Sequence, residues 1–269
     1  MPATATDTDY TTIEFEVADR IGTITLNRPD VFNAFDDTLS KELLDALKKA
    51  ERNREVRVII LTGAGKAFCS GQDLGDLKAK YVPGHVPHLG DDLKYRYNPI
   101  IKRITSMEKP VIAAVNGVAA GAGCSLALAC DMRLASQYAS FIEVFINVGL
   151  IPDSASSWHL TRFVGLGKAM EMCMTSQKIG AEEALQLGLV NTVCPADELA
   201  EKTRALASKI VAMPERGIAL TKRLLRQGLE NSLAQQLEAE MYAQETAGQT
   251  EDHFEGVTAF LEKRKPDFK

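Results

Sequence analysis

The chain has 269 residues, 45% hydrophobic and 25% charged, which is ordinary for a globular protein with a substantial core. A formal net charge of −5, with Lys and Arg scattered except in the terminal LEKRKPDFK of residues 261–269, argues against a nucleic-acid partner. No run approaches the roughly 18 apolar residues of a membrane span, the first ten residues lack the basic and apolar regions of a secretion signal, and the five cysteines show no metal-ligand spacing and read as reduced thiols, so the expected location is the cytoplasm.

Residues 13–17 alternate as a half-buried strand, and the turn signal at 19–22 leads to a second strand at 21–26, which together predict a hairpin. Pro29 ends it. Asp36 and Asp37 suit a helix start, and Leu39, Leu43, Leu44 and Leu47 mark one face of an amphipathic helix. The apolar run 56–62 is then a strand, and the order strand, helix, strand argues for an α/β fold with a parallel sheet. Residues 80–92 hold two prolines, two glycines and two histidines and read either as a flap over a pocket or as a surface loop. His85 and His88 have no third ligand nearby, so no metal site is expected. The β-branched run 111–115 lacks alternation, as a strand buried on both faces does. It breaks into NGVAAGAG at 116–123, almost free of side chains, and residues 124–130 follow as a buried helix. Residues 132–135 and 141–144 read as short strands, and from 181 onward the pattern is helical: 181–188, 196–213, 215–229, 233–247 and 254–263. The expected division is an α/β core, 1–195, and a helical region, 196–269, whose apolar residues such as Leu220, Leu224 and Leu225 its own core leaves uncovered.

The glycine-rich junctions at 63–74 and 116–123 both fall at strand C-terminal ends, where open α/β sheets bind ligands. The first amides of a helix lack intrahelical partners and can meet an anion or a polarised carbonyl. Small residues at a junction equally allow a helix to pack closely on a sheet. There is no GxSxG, HExxH, GxxxxGK[ST] or GxGxxG, so serine hydrolase, zinc enzyme, P-loop and dinucleotide readings fall away. One carboxylate stands out. Asp153 follows the apolar GLIP of 149–152 and precedes Ser154, Ser156 and Ser157, which suits either a helix N-cap or an acid–base group with a pKa raised by burial.

Five segments carry a resemblance: LNRPDVFNAF at 26–35, LTGAGKAFCSGQDL at 61–74, KPVIAAVNGVAAGAG at 109–123, GLIPDSASSWHLTRFVG at 149–165 and EGVTAFLEKRKPDFK at 255–269. Together, and in order over nearly the whole chain, they resemble the enoyl-CoA hydratase/isomerase, or crotonase, family. The resemblance implies a ClpP/crotonase-type ββα spiral core with a C-terminal helical oligomerisation region, a homotrimer or dimer of trimers, and an acyl-CoA thioester as partner. It implies no cofactor beyond the coenzyme A of the substrate, no nucleic acid and no membrane. In the family the thioester carbonyl is held by two backbone amides, at positions that are Gln72 and Ala122 here. Implied coenzyme A or substrate contacts are Lys66, Ala67, Phe68, Ser70, Gly71, Asp73, Leu74, Gly121 and Phe145, with Phe260 and Lys263 reaching in from a neighbouring subunit.

Hydratases of the family carry two glutamates, and the corresponding positions here are Ser125 and Phe145. Glu143 lies two residues before the second and on a strand would share its face. Asp153 instead stands where related isomerases and a dehalogenase have their catalytic aspartate. The words FCSGQDL, RYNPIIKRI at 96–104, NGVAAGAG and GLIPDS are most similar to the branch that converts the ring 1,2-epoxide of phenylacetyl-CoA into an oxepin and also shifts enoyl-CoA double bonds from position 3 to 2. The implied activity is that acyl-CoA isomerase, with Tyr97 and Trp158 available for an aromatic-derived acyl group. A weak hydratase and a non-catalytic acyl-CoA binder are the alternatives.

Overall fold

The computed structural model describes residues 5–6, 10–73, 75, 78, 84 and 88–268. Eleven strands among them form two sheets: β1 (Ala5–Thr6), β2 (Ile13–Ala18), β3 (Ile21–Leu26), β4 (Val58–Gly63), β5 (Ala67–Cys69), β6 (Val111–Val115), β7 (Val118–Ala120), β8 (Met132–Ser136), β9 (Ser140–Ile142), β10 (Ile179–Gly180) and β11 (Thr192–Cys194). The larger sheet runs β1-β2-β3-β4-β6-β8-β11 and the smaller β10-β9-β7-β5. Three times in succession, at β4–β5, β6–β7 and β8–β9, the chain lays one strand in the larger sheet and the next in the smaller, which is the winding of a spiral core. The expected hairpin is β2–β3, with Ile13 opposite Leu26 and the turn residues Asp19 and Arg20 in the left-handed region.

The helices are α1 (Asp37–Arg52), α2 (Asn98–Ser106), α3 (Ala122–Ala129), α4 (Ser156–Phe163), α5 (Gly165–Thr175), α6 (Ala181–Gln186), α7 (Leu199–Val211), α8 (Glu215–Gln227), α9 (Leu233–Gly248) and α10 (Glu251–Leu261). Asp36 caps α1, its carboxylate accepting from the Leu39 N–H at 2.7 Å. None of the helices is long and apolar enough to cross a membrane.

Alternate residues of the parallel strands face different cores. Ile59, Leu61, Val111, Ala113 and Val115 pack with Leu39, Leu43 and Leu47 of α1, while Val58, Ile60, Ile112 and Ala114 pack with Leu199 and Ala207 of α7. Burial on both faces is why residues 111–115 read as an unbroken apolar run. Helix α7 lies beyond residue 195 yet closes the second face of the larger sheet.

The pattern reading differs from the structure in four places. Strands β5 and β7 lie inside the junctions read as turns, because three residues are too few to show a periodicity and become strands only by pairing with each other, Cys69 opposite Ala119. The buried helix after the second junction begins at Ala122 rather than at residue 124. Residues 141–144 are not all strand: Ile142 pairs with Ala120, the last residue of β7, and with no partner beyond it the chain turns into a 3-10 helix at Val144–Val148. Glu143 and Phe145 therefore do not share a strand face. Leu220 is buried within the chain, whereas Leu225 of the same helix is 71% exposed. Most of the 80–92 segment lies outside the described residues, which resume there with a helical turn at Leu89–Asp92.

Helix α8 is tied to the core by charge. Lys222 and Arg226 each approach Asp131 to 2.7 Å, and the same carboxylate accepts from the Val111 N–H at 2.8 Å at the start of β6. Replacing Asp131 by Ala leaves Lys222 buried without its counter-charge, at an expected cost of about 3 kcal/mol. Urea unfolding of Asp131→Ala reads that loss as a lower midpoint, and an unchanged midpoint contradicts it.

Candidate active site

The first glycine-rich junction is built by the segment before α1. Phe35 donates its N–H to the Gly71 carbonyl at 2.7 Å and its carbonyl accepts from the Asp73 N–H at 2.9 Å, a single parallel bridge. This arrangement turns the N–H of Gln72 away from Phe35. Arg28 holds the far side, bridging Asp73 at 2.9 Å and Asp36 at 3.1 Å. Asn33, fully buried, donates its side-chain amide to the Ala64 and Ala67 carbonyls. Arg28, Asn33 and Phe35 escaped the sequence reading as site residues, although all three lie in the NRPDVFNAF word. Their role depends on contacts about 30 to 45 residues away along the chain.

The second junction lies beside the first because β7 pairs with β5. Gly121, at φ +51°, donates to the Ile142 carbonyl at 2.9 Å. The next amide, Ala122, opens α3 and has no acceptor among the described residues. A Cβ on Gly71, itself at φ +94°, would stand 2.8 Å from the Ala120 carbonyl and 3.5 Å from the Ala122 nitrogen. A Cβ on Gly117 would meet the Lys66 carbonyl at 2.0 Å, and one on Gly123 the Cys69 carbonyl at 2.1 Å. The small residues thus serve both purposes left open by the sequence: Gly117 and Gly123 permit packing, while Gly71, Gly121 and Ala122 border a cavity.

That cavity has a volume of about 610 Å³ and brings together Ser70, Gly71, Gln72, Asp73, Gly121, Ala122, Phe145 and Asp153, with Tyr97 and an apolar wall that includes Val144, Leu150 and Ile151. The remaining sequence-derived positions lie elsewhere. Lys66 is exposed ahead of β5, and the Ala67 and Phe68 side chains are buried away from the cavity, Phe68 in the main core. Phe260 and Lys263 are exposed at the end of α10. Leu74 lies outside the described residues. Trp158 faces away from the cavity, its ring 3.9 Å under the Arg162 guanidinium.

Asp153 is not the cap of α4, which has no side-chain cap. Its carboxylate accepts from the Ser154 hydroxyl at 2.8 Å, and Ser154 and Ala155 both adopt left-handed backbone, φ 52° and 65°. Two such residues in succession make a strained, sharp turn of the kind held at functional sites. Burial raises the Asp153 pKa above its ordinary value, against the opposing Ser154 hydrogen bond. The Ser125 hydroxyl, fully buried, lies 3.0 Å from the Asp153 carbonyl and 3.2 Å from the Gly121 carbonyl, so it ties the second junction to the aspartate loop and does not enter the cavity. Chemically, adjacent amides can stabilise an oxygen that gains negative charge, and a carboxylate in the same cavity can accept or return a proton.

Glu143 is a second carboxyl close by. It is wholly buried, neither carboxylate oxygen has a hydrogen-bond partner among the described residues, and it does not line the cavity. Burial chiefly, with the nearby Asp153 charge adding, pushes its pKa up to about 7, while the Cys124 thiol and Ser156 hydroxyl beside it act in the opposite direction. An unfolded chain loses this proton from its ordinary value of 4.5 upward, the folded one only near 7, so stability falls between those pH values and stays lower above them. Glu143→Gln removes that penalty. The variant is expected to gain roughly 3 kcal/mol relative to wild type at pH 8 compared with pH 4, measured as the pH dependence of the difference in unfolding free energy. A pH-independent difference refutes the assignment.

Comparison with known proteins bears on what this cavity takes. The family model described as enoyl-CoA hydratase/isomerase matches residues 16–269. The chain is 44% identical to a Rhodobacter capsulatus protein named "Probable enoyl-CoA hydratase", covering 96% of this chain and 98% of that one. It is 41% identical to the 1,2-epoxyphenylacetyl-CoA isomerase of Escherichia coli K12, covering 91% and 94%. The crystal structure of enoyl-CoA hydratase from Bacillus anthracis superposes with a TM-score of 0.90 at 34% identity, covering 96% of this chain and 99% of that one.

Proposed function

Because the chain belongs to the enoyl-CoA hydratase/isomerase family, we propose that it is an acyl-CoA isomerase working through a single carboxylate, Asp153. One observation carries this reading: Asp153 shares a cavity with the Gly71–Gln72 and Gly121–Ala122 junctions, while the positions of the hydratase glutamates hold Ser125, tied to backbone, and Phe145, an apolar wall. The amides of Gln72 and Ala122 hold the thioester carbonyl. As a proton leaves the neighbouring carbon, enolate charge grows on that oxygen, and preorganised donors are worth roughly 3 to 4 kcal/mol each at such a site. Asp153 takes the proton and returns it to another carbon. The raised carboxyl pKa suits a group that must do both.

For the acyl group, the likeness to the E. coli epoxide isomerase supports a 2-(1,2-epoxy-1,2-dihydrophenyl)acetyl-CoA substrate, converted to its oxepin isomer, with shift of a 3-enoyl to a 2-enoyl double bond as a second capability. Among the described residues the cavity wall carries Asp73, Asp92 and Asp153 and no Lys, Arg or His, which favours an uncharged acyl group over one ending in a carboxylate. The double-bond shift is a proton movement; conversion of the epoxide to its oxepin breaks the bond between the two epoxide carbons and turns two ring double bonds into three. Both are isomerisations with no net change of oxidation state and use no metal or redox group. The exposed Leu225, Leu233, Leu237 and Met241 of α8 and α9 support assembly into a homotrimer or dimer of trimers, in which Phe260 and Lys263 reach coenzyme A on a neighbouring subunit. A second reading, a weak hydratase, is favoured by the Rhodobacter likeness. Assaying water addition to crotonyl-CoA against isomerisation of a 3-enoyl-CoA separates the two.

Asp153→Asn is expected to lower kcat for 3-enoyl-CoA isomerisation by about 10² to 10⁴ with little change in KM. Near-normal turnover by a folded variant refutes the role. In wild type, kcat/KM falls on acidification with a midpoint above the ordinary carboxylate value, because protonated Asp153 cannot act as base. A midpoint at or below that value contradicts the buried base.

A further inference from the structure

Tyr97 closes the π-helical turn Leu93–Tyr97 and lines the cavity while only 7% exposed. Its ring is fixed from two sides, edge-on to Phe35 at 5.4 Å and beside the Arg96 guanidinium at 5.4 Å. The position of its hydroxyl is therefore set by packing, and that hydroxyl donates to the Gln72 side-chain oxygen.

The other donor side chains on the wall already donate to backbone carbonyls or, for Asn147, to a residue off the wall. Ser70 donates to the Val31 carbonyl at 3.3 Å, Asn147 to the Ser176 hydroxyl at 3.0 Å, and Gln72 to the Asp73 carbonyl at 3.4 Å. Asp73, Asp92 and Asp153 when ionised can only accept. Tyr97 differs because its acceptor is itself a movable side chain bordering the cavity, so its O–H can pass to a ligand while the Gln72 oxygen turns to water. Burial, with the Asp153 and Asp92 charges adding, pushes the phenol pKa far up, so the group remains a donor at any working pH. Tyr97, its acceptor Gln72 and Asp153 all line the one cavity, so the hydroxyl is within the space that the acyl group of a bound thioester would enter.

We propose that the Tyr97 hydroxyl recognises an ether-type oxygen on the acyl group of the bound thioester, so that the site selects acyl-CoA molecules carrying an epoxide or cyclic ether oxygen. Tyr97 keeps its proton throughout and forms only a hydrogen bond. The inference rests on the acyl-CoA reading of the cavity and deepens it by naming the residue that recognises the oxygen of the proposed acyl group.

The test is a binding comparison of two near-isosteric thioesters, tetrahydropyran-2-ylacetyl-CoA and cyclohexylacetyl-CoA, titrated by calorimetry into wild type and Tyr97→Phe, which retains the ring and its packing. Loss of one such bond is expected to shift the ratio of the two dissociation constants by about fivefold against the ether, with the cyclohexyl ligand binding both proteins alike. An unchanged ratio, or equal weakening of both ligands, overturns the proposal, the latter assigning Tyr97 to positioning Gln72 alone. Wild type bearing 3-fluorotyrosine at position 97, a stronger donor, gives a second readout: tighter binding of the ether ligand alone supports the proposal and unaltered binding counts against it. Neither measurement involves turnover, so an active Asp153→Asn enzyme would sink the catalytic reading while leaving the Tyr97 result to stand or fall separately.

Discussion

In the proposed reading the amides of Gln72 and Ala122 share one target, which requires two chain turns to meet closely, and much of the architecture around the cavity brings them together. The Gly71 and Gly121 junctions come close enough that a methyl group on Gly71 would press on the Ala120 carbonyl. Parallel pairing of β5 with β7 sets them side by side, and Gly117 and Gly123 remove the atoms that would hold them apart. Phe35, Arg28 and Asn33 then pin the first turn from outside. Under the proposed reading, donors fixed this way before a ligand arrives need no reorganisation as charge develops.

The carboxyl groups show how position divides roles among similar residues. Asp153 is half-buried, opens on the cavity and has a hydroxyl partner in Ser154. Glu143 is wholly buried, has no hydrogen-bond partner among the described residues and does not line the cavity. Ser125, at a position where a hydratase has an acid, has become a fastener between the second junction and the Asp153 loop.

The helices after residue 195 contribute at two levels. Helix α7 closes the second face of the larger sheet, and α8 is anchored through Lys222 and Arg226 to Asp131, directly after α3. Farther out, α9 and α10 leave large apolar side chains such as Leu233 and Phe260 in solvent. An amphipathic pattern specifies that a helix has a burying face, but the same pattern serves whether that face is buried within the chain, as Leu220 is, or left outward, as Leu225 is.

By itself the sequence determined the elements whose signal is local: the β2–β3 hairpin from alternation, β6 from its unbroken apolar run, α1 from its leucine face and aspartate cap, and the two small-residue junctions. It also determined what is missing, since Ser125 and Phe145 are legible without coordinates. The tertiary structure alone decided the rest. Strands β5 and β7 have three residues each and exist through pairing with distant chain, so no window around either one predicts it. The end of β9 at Ile142, which separates Glu143 from Phe145, follows from the end of its partner strand. Whether Tyr97 or Trp158 faces the cavity, and whether Asp153 caps a helix or opens on a pocket, depends on which surfaces the two sheets bring together. Periodicity encodes which face of an element is buried, and long-range packing chooses what that face meets.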